Sequence, residues 1–130
     1  MFSLSKRSEK NLKGVHPDLV RVVRRAIELT DVDFAVTQGL RTREEQARLV
    51  AGGKPQTMKS RHLTGHAVDV VALIGGAASW EHADYAPIAH AFKRAAAELR
   101  IPIVWGGDWV SFVDMPHFEL DRRVYQADER

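Results

Sequence analysis

Two stretches of this chain gather residue types capable of acid–base or metal chemistry. The first is Ser60-Arg61-His62-Leu63-Thr64-Gly65-His66-Ala67-Val68-Asp69, and the second is Asp114-Met115-Pro116-His117-Phe118-Glu119-Leu120. In the first, Val68, Val70 and Ala72 alternate with Asp69 and Val71, which puts Asp69 on a strand. A carboxylate inside an apolar strand is costly to bury unless its charge is compensated. Two compensations are open: a metal ion, or an ion pair with Arg41 or Arg61. In the second stretch Asp114 and His117 stand three residues apart, and on a straight strand such positions face opposite ways. A bend at Pro116 before the strand would turn both into one cleft. Zinc hydrolases need that combination: three protein ligands, an open position for water, and a nearby carboxylate to take the water's proton.

The chain has no cysteine, so disulfides, thiolate metal sites and cysteine nucleophiles are excluded together. Any metal must be held by His, Asp or Glu. Of the remaining histidines, His16 precedes a helix start, and His82 and His90 belong to or flank a helix and face solvent. None of these three is assigned a function.

The elements that must position these residues follow from period and punctuation. Ser5–Leu12 reads as a short first helix. His16-Pro17-Asp18 opens a firmer one, with proline suited to a first turn that lacks internal N–H partners. Its apolar stripe is Leu19, Val22, Val23, Ala26 and Ile27, and it ends near Thr30-Asp31. Phe34–Thr37 is a short buried strand. Thr42 and Glu45 form a capping box that starts a helix to about Ala51, stopped by Gly52-Gly53. Residues 54–65 have no period and read as a loop. Ala67–Ala72 is the second strand. Asp84 is expected to cap a long helix striped by Tyr85, Ile88, Ala89, Phe92, Ala95, Ala96 and Leu99, with Pro87 in its first turn. Pro102 lies beyond its end. Ile103–Trp105 and His117–Leu120 complete the strands, and Trp105-Gly106-Gly107-Asp108-Trp109 is a turn. Helices first, then strands mixed with helices, predict a single small α+β domain over residues 1–130, with a short, mostly antiparallel sheet.

Composition limits the partners. Nineteen basic residues against seventeen acidic ones leave a net charge of +2, far from the excess of a typical nucleic-acid binder. Lys6, Arg7, Lys10 and Lys13 make the N-terminal end basic, as a solvated face or a surface for an anionic partner. The hydrophobic fraction of 45% argues against disorder. No apolar run approaches the ~20 residues a bilayer requires, so stable membrane insertion is not expected. Met1-Phe2-Ser3-Leu4-Ser5 leads into charged residues without an apolar core, so a signal peptide is not expected either. The expected location is the cytoplasm, and if the substrate lies outside the membrane something else must let the protein across.

Together the two stretches resemble the M15-type zinc D-alanyl-D-alanine peptidase family, which includes the vancomycin-resistance dipeptidases. Ser60, His62, Gly65, Ala67 and Asp69 fill every fixed place of that family's Ser-x-His-x-x-Gly-x-Ala-x-Asp signature. Asp114 and His117 match its acid-x-x-His element. The similarity is closest to the phage endolysin branch, the L-alanyl-D-glutamate peptidases, where the acid is Asp as here. Gly39-Leu40-Arg41-Thr42 with Gln46, and Trp105–Trp109, extend the likeness from about His16 to Leu120.

The resemblance implies a hedgehog/DD-peptidase-like fold, and zinc held by His62, Asp69 and His117 with water in the fourth position. It implies Asp114 as general base and later proton donor. Arg41 matches the family's arginine near the scissile carbonyl, and a supporting salt bridge is its other reading. Ser60 braces the metal loop, and His66 occupies a variable place outside the ligand set. Trp105 and Trp109 either line the cleft or pack in the core. The implied function is hydrolysis of the L-alanyl-D-glutamate bond in peptidoglycan stem peptides, by a monomeric phage endolysin in host lysis. The alternatives are a D-alanyl-D-alanine carboxypeptidase and a non-catalytic zinc or wall-binding module. Retention of both Asp114 and Arg41 speaks against the latter.

Overall fold

A computed structural model describes residues 1–53 and 60–126. Part of the loop expected over 54–65 thus lies outside the described residues. Its described end is not irregular, since Arg61–Thr64 forms a turn of 3-10 helix.

Helix α1 (Lys6–Asn11) is capped by Ser5, and α2 (Pro17–Leu29) begins on proline as expected. Strand β1 (Asp33–Gln38) leads to α3 (Arg43–Ala51), which starts on the Thr42–Glu45 capping box with both reciprocal bonds made. Strand β2 (Ala67–Ile74) runs two residues beyond its expected end. It turns back through Gly75-Gly76 into β3 (Ala77–Ser79), a strand missing from the sequence reading. A Gly-Gly pair after an apolar run is a hairpin signal, and here it makes one.

Helix α4 (His82–Leu99) corrects two expectations. Its N-cap is Glu81, not Asp84, and Pro87 lies inside the helix beyond the first turn. Asp84 is drawn away from capping because its carboxylate accepts a 2.6 Å hydrogen bond from Ser79 Oγ, tying the helix to β3. Pro87 removes one internal N–H, and the apolar stripe holds the helix regardless. Strands β4 (Ile103–Trp105) and β5 (His117–Leu120) flank a 3-10 turn at Gly106–Asp108.

The sheet order is β1-β2-β5-β4, with β3 also on β2, and every pairing is antiparallel. One face carries Phe34, Val36, Val68, Val70, Phe118 and Leu120 into a core closed by α2 and α4. Phe92 of α4 stacks on Phe118 at 3.9 Å between ring centroids and also meets Phe34. Because strand side chains alternate, β5 sends Phe118 and Leu120 inward and turns His117 and Glu119 to the other face. Helix α1 lies along β1, where Ser8 Oγ accepts from the Val36 amide and Asn11 Nδ2 donates to the Val36 carbonyl. That covers a sheet edge that would otherwise offer unpaired backbone groups.

Candidate metal centre and active site

Strand register builds the site. Asp69 on β2 is paired directly with His117 on β5, so their side chains leave the sheet on one face. His117 Nδ1 lies 3.2 Å from Asp69 Oδ1. His62 comes from the 3-10 turn, where Ser60 Oγ accepts from its amide at 3.2 Å. Gly65 ends that turn at φ 74, and a Cβ there would stand 2.5 Å from the Gly14 carbonyl oxygen. Only glycine fits both demands. His62 Nε2 then sits 3.3 Å from the same Asp69 oxygen.

The far nitrogen of each imidazole is also held. His62 Nδ1–H donates to the Gly39 carbonyl at 2.9 Å, and His117 Nε2–H donates to Glu119 Oε1 at 2.9 Å. These partners fix the ring orientations and turn His62 Nε2 and His117 Nδ1, the atoms that would ligate a metal, toward Asp69. One ligating atom from each of His62, Asp69 and His117 lies within 4.8 Å of the others. Zinc–ligand bonds of about 2.0–2.1 Å in a tetrahedron put ligand atoms roughly 3.3 Å apart. The two imidazole–carboxylate separations match that edge, so the donor set fits such an ion.

Around this trio stand Arg41 and Asp114, which line the same cleft. Arg41 is buried; its Nη1 donates to Gln46 Oε1 at 2.6 Å and its Nη2 lies 3.9 Å from Asp69 Oδ2. Of the two compensations open for Asp69, the ion pair with Arg41 is present at one oxygen, while the other oxygen faces the two imidazoles. Arg61 is committed elsewhere, with Nη2 donating to the Tyr125 carbonyl. Asp114 precedes β5 in a turn closed by the His117 amide on the Asp114 carbonyl, with its own amide on Gly106. The bend at Pro116 thus does bring Asp114 and His117 into one cleft.

Charge is distributed unevenly there. Burial works against ionising Asp69, but hydrogen bonds from His117 and His62 outweigh it and hold the carboxyl far below its ordinary range. Burial likewise opposes charge on His117, yet its bonds to Asp69 and Glu119 push it up to about 9. Asp114 moves the opposite way from Asp69. Burial and then the nearby Asp69 charge raise it above an ordinary carboxyl, the direction a general base needs.

Comparison with known proteins places the whole chain. The family model of phage L-alanyl-D-glutamate peptidases matches residues 1–129. The chain belongs to that family. It is 38% identical to the L-alanyl-D-glutamate peptidase of Escherichia phage T5, over 97% of this chain and 94% of that protein. It is 34% identical to the L-alanyl-D-glutamate peptidase of Listeria phage A118, covering 78% of this chain but 35% of that longer relative. Among solved structures, the Serratia marcescens L-Ala D-Glu endopeptidase ChiX superposes with a TM-score of 0.90 at 54% identity, covering 94% and 92% of the two chains. The vancomycin-resistance D,D-dipeptidase VanXYg shares the fold, with a TM-score of 0.52 at 18% identity over 82% of this chain and 50% of that one.

In this phage-type peptidase the five residues singled out for chemistry, His62, Asp69, His117, Asp114 and Arg41, all meet in one cleft. The tryptophans separate. Trp105 is buried, stacks on Phe118 and donates its indole N–H to the Met115 carbonyl, so it belongs to the core. Trp109 lines the cleft, with its ring centroid 5.2 Å from that of His117. His66 stays outside the trio, with Nδ1 2.8 Å from Thr64 Oγ1 and its ring against His16. Glu119 and the Gly39 carbonyl were missed as orienting groups. Glu119 had a signal, since two residues beyond His117 on a strand is the same face. The Gly39 carbonyl had none.

Proposed function

We propose that the chain is a single-domain, monomeric, zinc-dependent peptidoglycan endopeptidase that hydrolyses the L-alanyl-D-glutamate bond of stem peptides during phage lysis. In this reading it reaches the wall through a separate membrane pore. The observation that carries it is the pairing of Asp69 with His117, which with His62 brings three groups able to ligate zinc together beside a carboxyl of raised affinity for protons. Membership of a peptidase family of phages supports the bond and the setting. Among the described residues no helix is long and apolar enough to cross a membrane.

His62, Asp69 and His117 would hold the ion. Zinc supplies Lewis-acid polarisation of a carbonyl and lowers the pKa of its bound water to about 7. Asp114 takes the proton of the attacking water and delivers it to the departing amine. Arg41, oriented by Gln46, offers positive charge where negative charge develops on the carbonyl oxygen, and such a donor is worth roughly 3–4 kcal/mol in the transition state. Trp109 walls one side of the cleft and shields His117.

The test pairs metal analysis with a digest of purified peptidoglycan. Mass spectrometry is expected to find new L-alanine carboxyl and D-glutamate amino termini. Asp114→Ala is expected to keep one zinc per chain and lose about 10²–10⁴-fold in turnover. Release of free D-alanine alone would identify a carboxypeptidase instead, and an Asp114→Ala variant of near-normal rate would remove the assigned base.

A further inference from the structure

Resting on the endopeptidase reading above, we propose that Arg122 binds the free carboxylate of the glutamate whose amide bond is cut. A glutamate acylated on its amine and continuing the chain through one carboxyl keeps the other free, and ionised at neutral pH. That group lies only a few bonds of about 1.5 Å from the scissile nitrogen. The cleft it must enter already contains three carboxyl groups, Asp69, Asp114 and Glu119. An anion there needs a cation that is not already committed.

Three arginines line the cleft. Arg41 is buried and engaged with Gln46 and Asp69, and buried Arg61 holds the Tyr125 carbonyl. Arg122 differs from both. Its side chain is 53% exposed, and its one hydrogen bond among the described residues runs 2.9 Å from Nε to Glu119 Oε2. The two Nη groups therefore have no protein partner among the described residues. They form the planar, two-pronged donor edge that suits a carboxylate. The adjacent Arg123 is not equivalent, because its Nε and Nη2 are spent on Asp121.

Anchoring makes this more than a loose surface cation. Arg122 is tied to Glu119, Glu119 to His117, and His117 faces Asp69. One carboxylate and one imidazole thus set the spacing between the guanidinium and the metal centre. The Nη edge is held ready on the cleft rim, so little side-chain freedom remains to be lost when substrate arrives.

The rival role for Arg122 is purely positional, neutralising Glu119 and so steadying His117. Two synthetic substrates separate the roles: an N-acyl-L-alanyl-D-glutamyl peptide, and the same peptide with the free carboxyl converted to the amide. The native enzyme is expected to prefer the carboxylate by roughly ten- to a hundredfold in kcat/KM, the scale of one charge-assisted contact. Arg122→Gln is expected to lose a similar factor on the carboxylate substrate and to treat both within about twofold. Arg122→Lys should recover part of the preference. A half-exposed position puts folding at little risk, and the ratio between substrates is independent of how much zinc the variant carries.

Equal losses on both substrates in Arg122→Gln would overturn the assignment in favour of the positional role. So would a native enzyme that does not discriminate. Should the native enzyme cut neither peptide while releasing D-alanine from the wall, the endopeptidase reading itself would fail, and Arg122's role with it.

Discussion

His117 is held from two sides, by Asp69 at Nδ1 and by Glu119 at Nε2, and Arg122 in turn neutralises Glu119. An imidazole fixed in this way keeps one ring orientation, so an ion would have to displace a proton from Nδ1 but would not have to turn the ring. His62 is fixed similarly, but by the neutral Gly39 carbonyl. Of the two imidazoles, His117 is the one backed by a carboxylate. Glu119→Gln keeps the size and an accepting oxygen but removes the charge. It is expected to weaken zinc binding about 10–100-fold in competition with a chromophoric chelator. Unchanged affinity would mean that Glu119 serves the strand and not the metal.

Elements place these residues through a few close backbone approaches. The turn Gly106–Asp108 accepts the Asp114 amide on the Gly106 carbonyl, and β5 starts three residues after Asp114. A Cβ on Gly106 would lie 2.2 Å from the Asp114 carbonyl oxygen and 3.1 Å from His117 Cβ. Both neighbours line the cleft, and the nearer atom is backbone that cannot swing aside. Gly106→Ala is therefore expected to cost about 1–3 kcal/mol in urea unfolding. It should also lower kcat at saturating zinc, because the turn can relax only by moving Asp114. A variant with native stability and rate would show that this approach is looser than the geometry indicates. On the other side of the cleft, the capping box of α3 fixes the helix that carries Gln46, and Gln46 fixes Arg41.

At the scale of the molecule, the core and the site share a strand. Phe118 and Leu120 press into the cluster formed with α2 and α4, while His117 and Glu119 on the same strand face the cleft. If the trio holds zinc as proposed, folding and metal binding are therefore coupled, and their pH dependences have opposite signs. Without metal, the folded His117 titrates at about 9 against an ordinary value of about 6.5. That raised value stabilises the fold fully below the ordinary value and loses its effect as pH rises through about 9. Asp69 is held low, so its contribution is present above the ordinary carboxyl range and is lost only in acid. Zinc must displace the His117 proton, so its affinity is expected to rise about tenfold per pH unit between 6.5 and 9. Thermal unfolding with chelator and with zinc, at several pH values in that window, should give a Tm gap that widens with pH. A constant gap would contradict the protonated His117.

Short-range physics was legible in the sequence. Alternation around Asp69, the Thr42–Glu45 capping box, Pro17 at a helix start and the stripes of α2 and α4 involve neighbours a few residues apart, and each is present in the fold. Residue type and spacing, read with the family resemblance, also named the trio, Asp114 and Arg41. What remained open depended on groups far apart in the chain. That Asp69 faces both an imidazole of β5 and an arginine was decided by a register joining residues 48 positions apart and by Arg41 arriving from before α3. The tautomer of His62 depends on a carbonyl 23 residues away, which no side-chain pattern encodes. Trp105 and Trp109 are the same residue type on one short turn, and only packing against Phe118 sends the first to the core and leaves the second on the cleft. Asp84 was misread for a related reason: a locally good cap was drawn off by Ser79, which the Gly75-Gly76 hairpin delivers. Local propensities fix what each segment can do, and cross-strand pairing and packing decide which of those options is used.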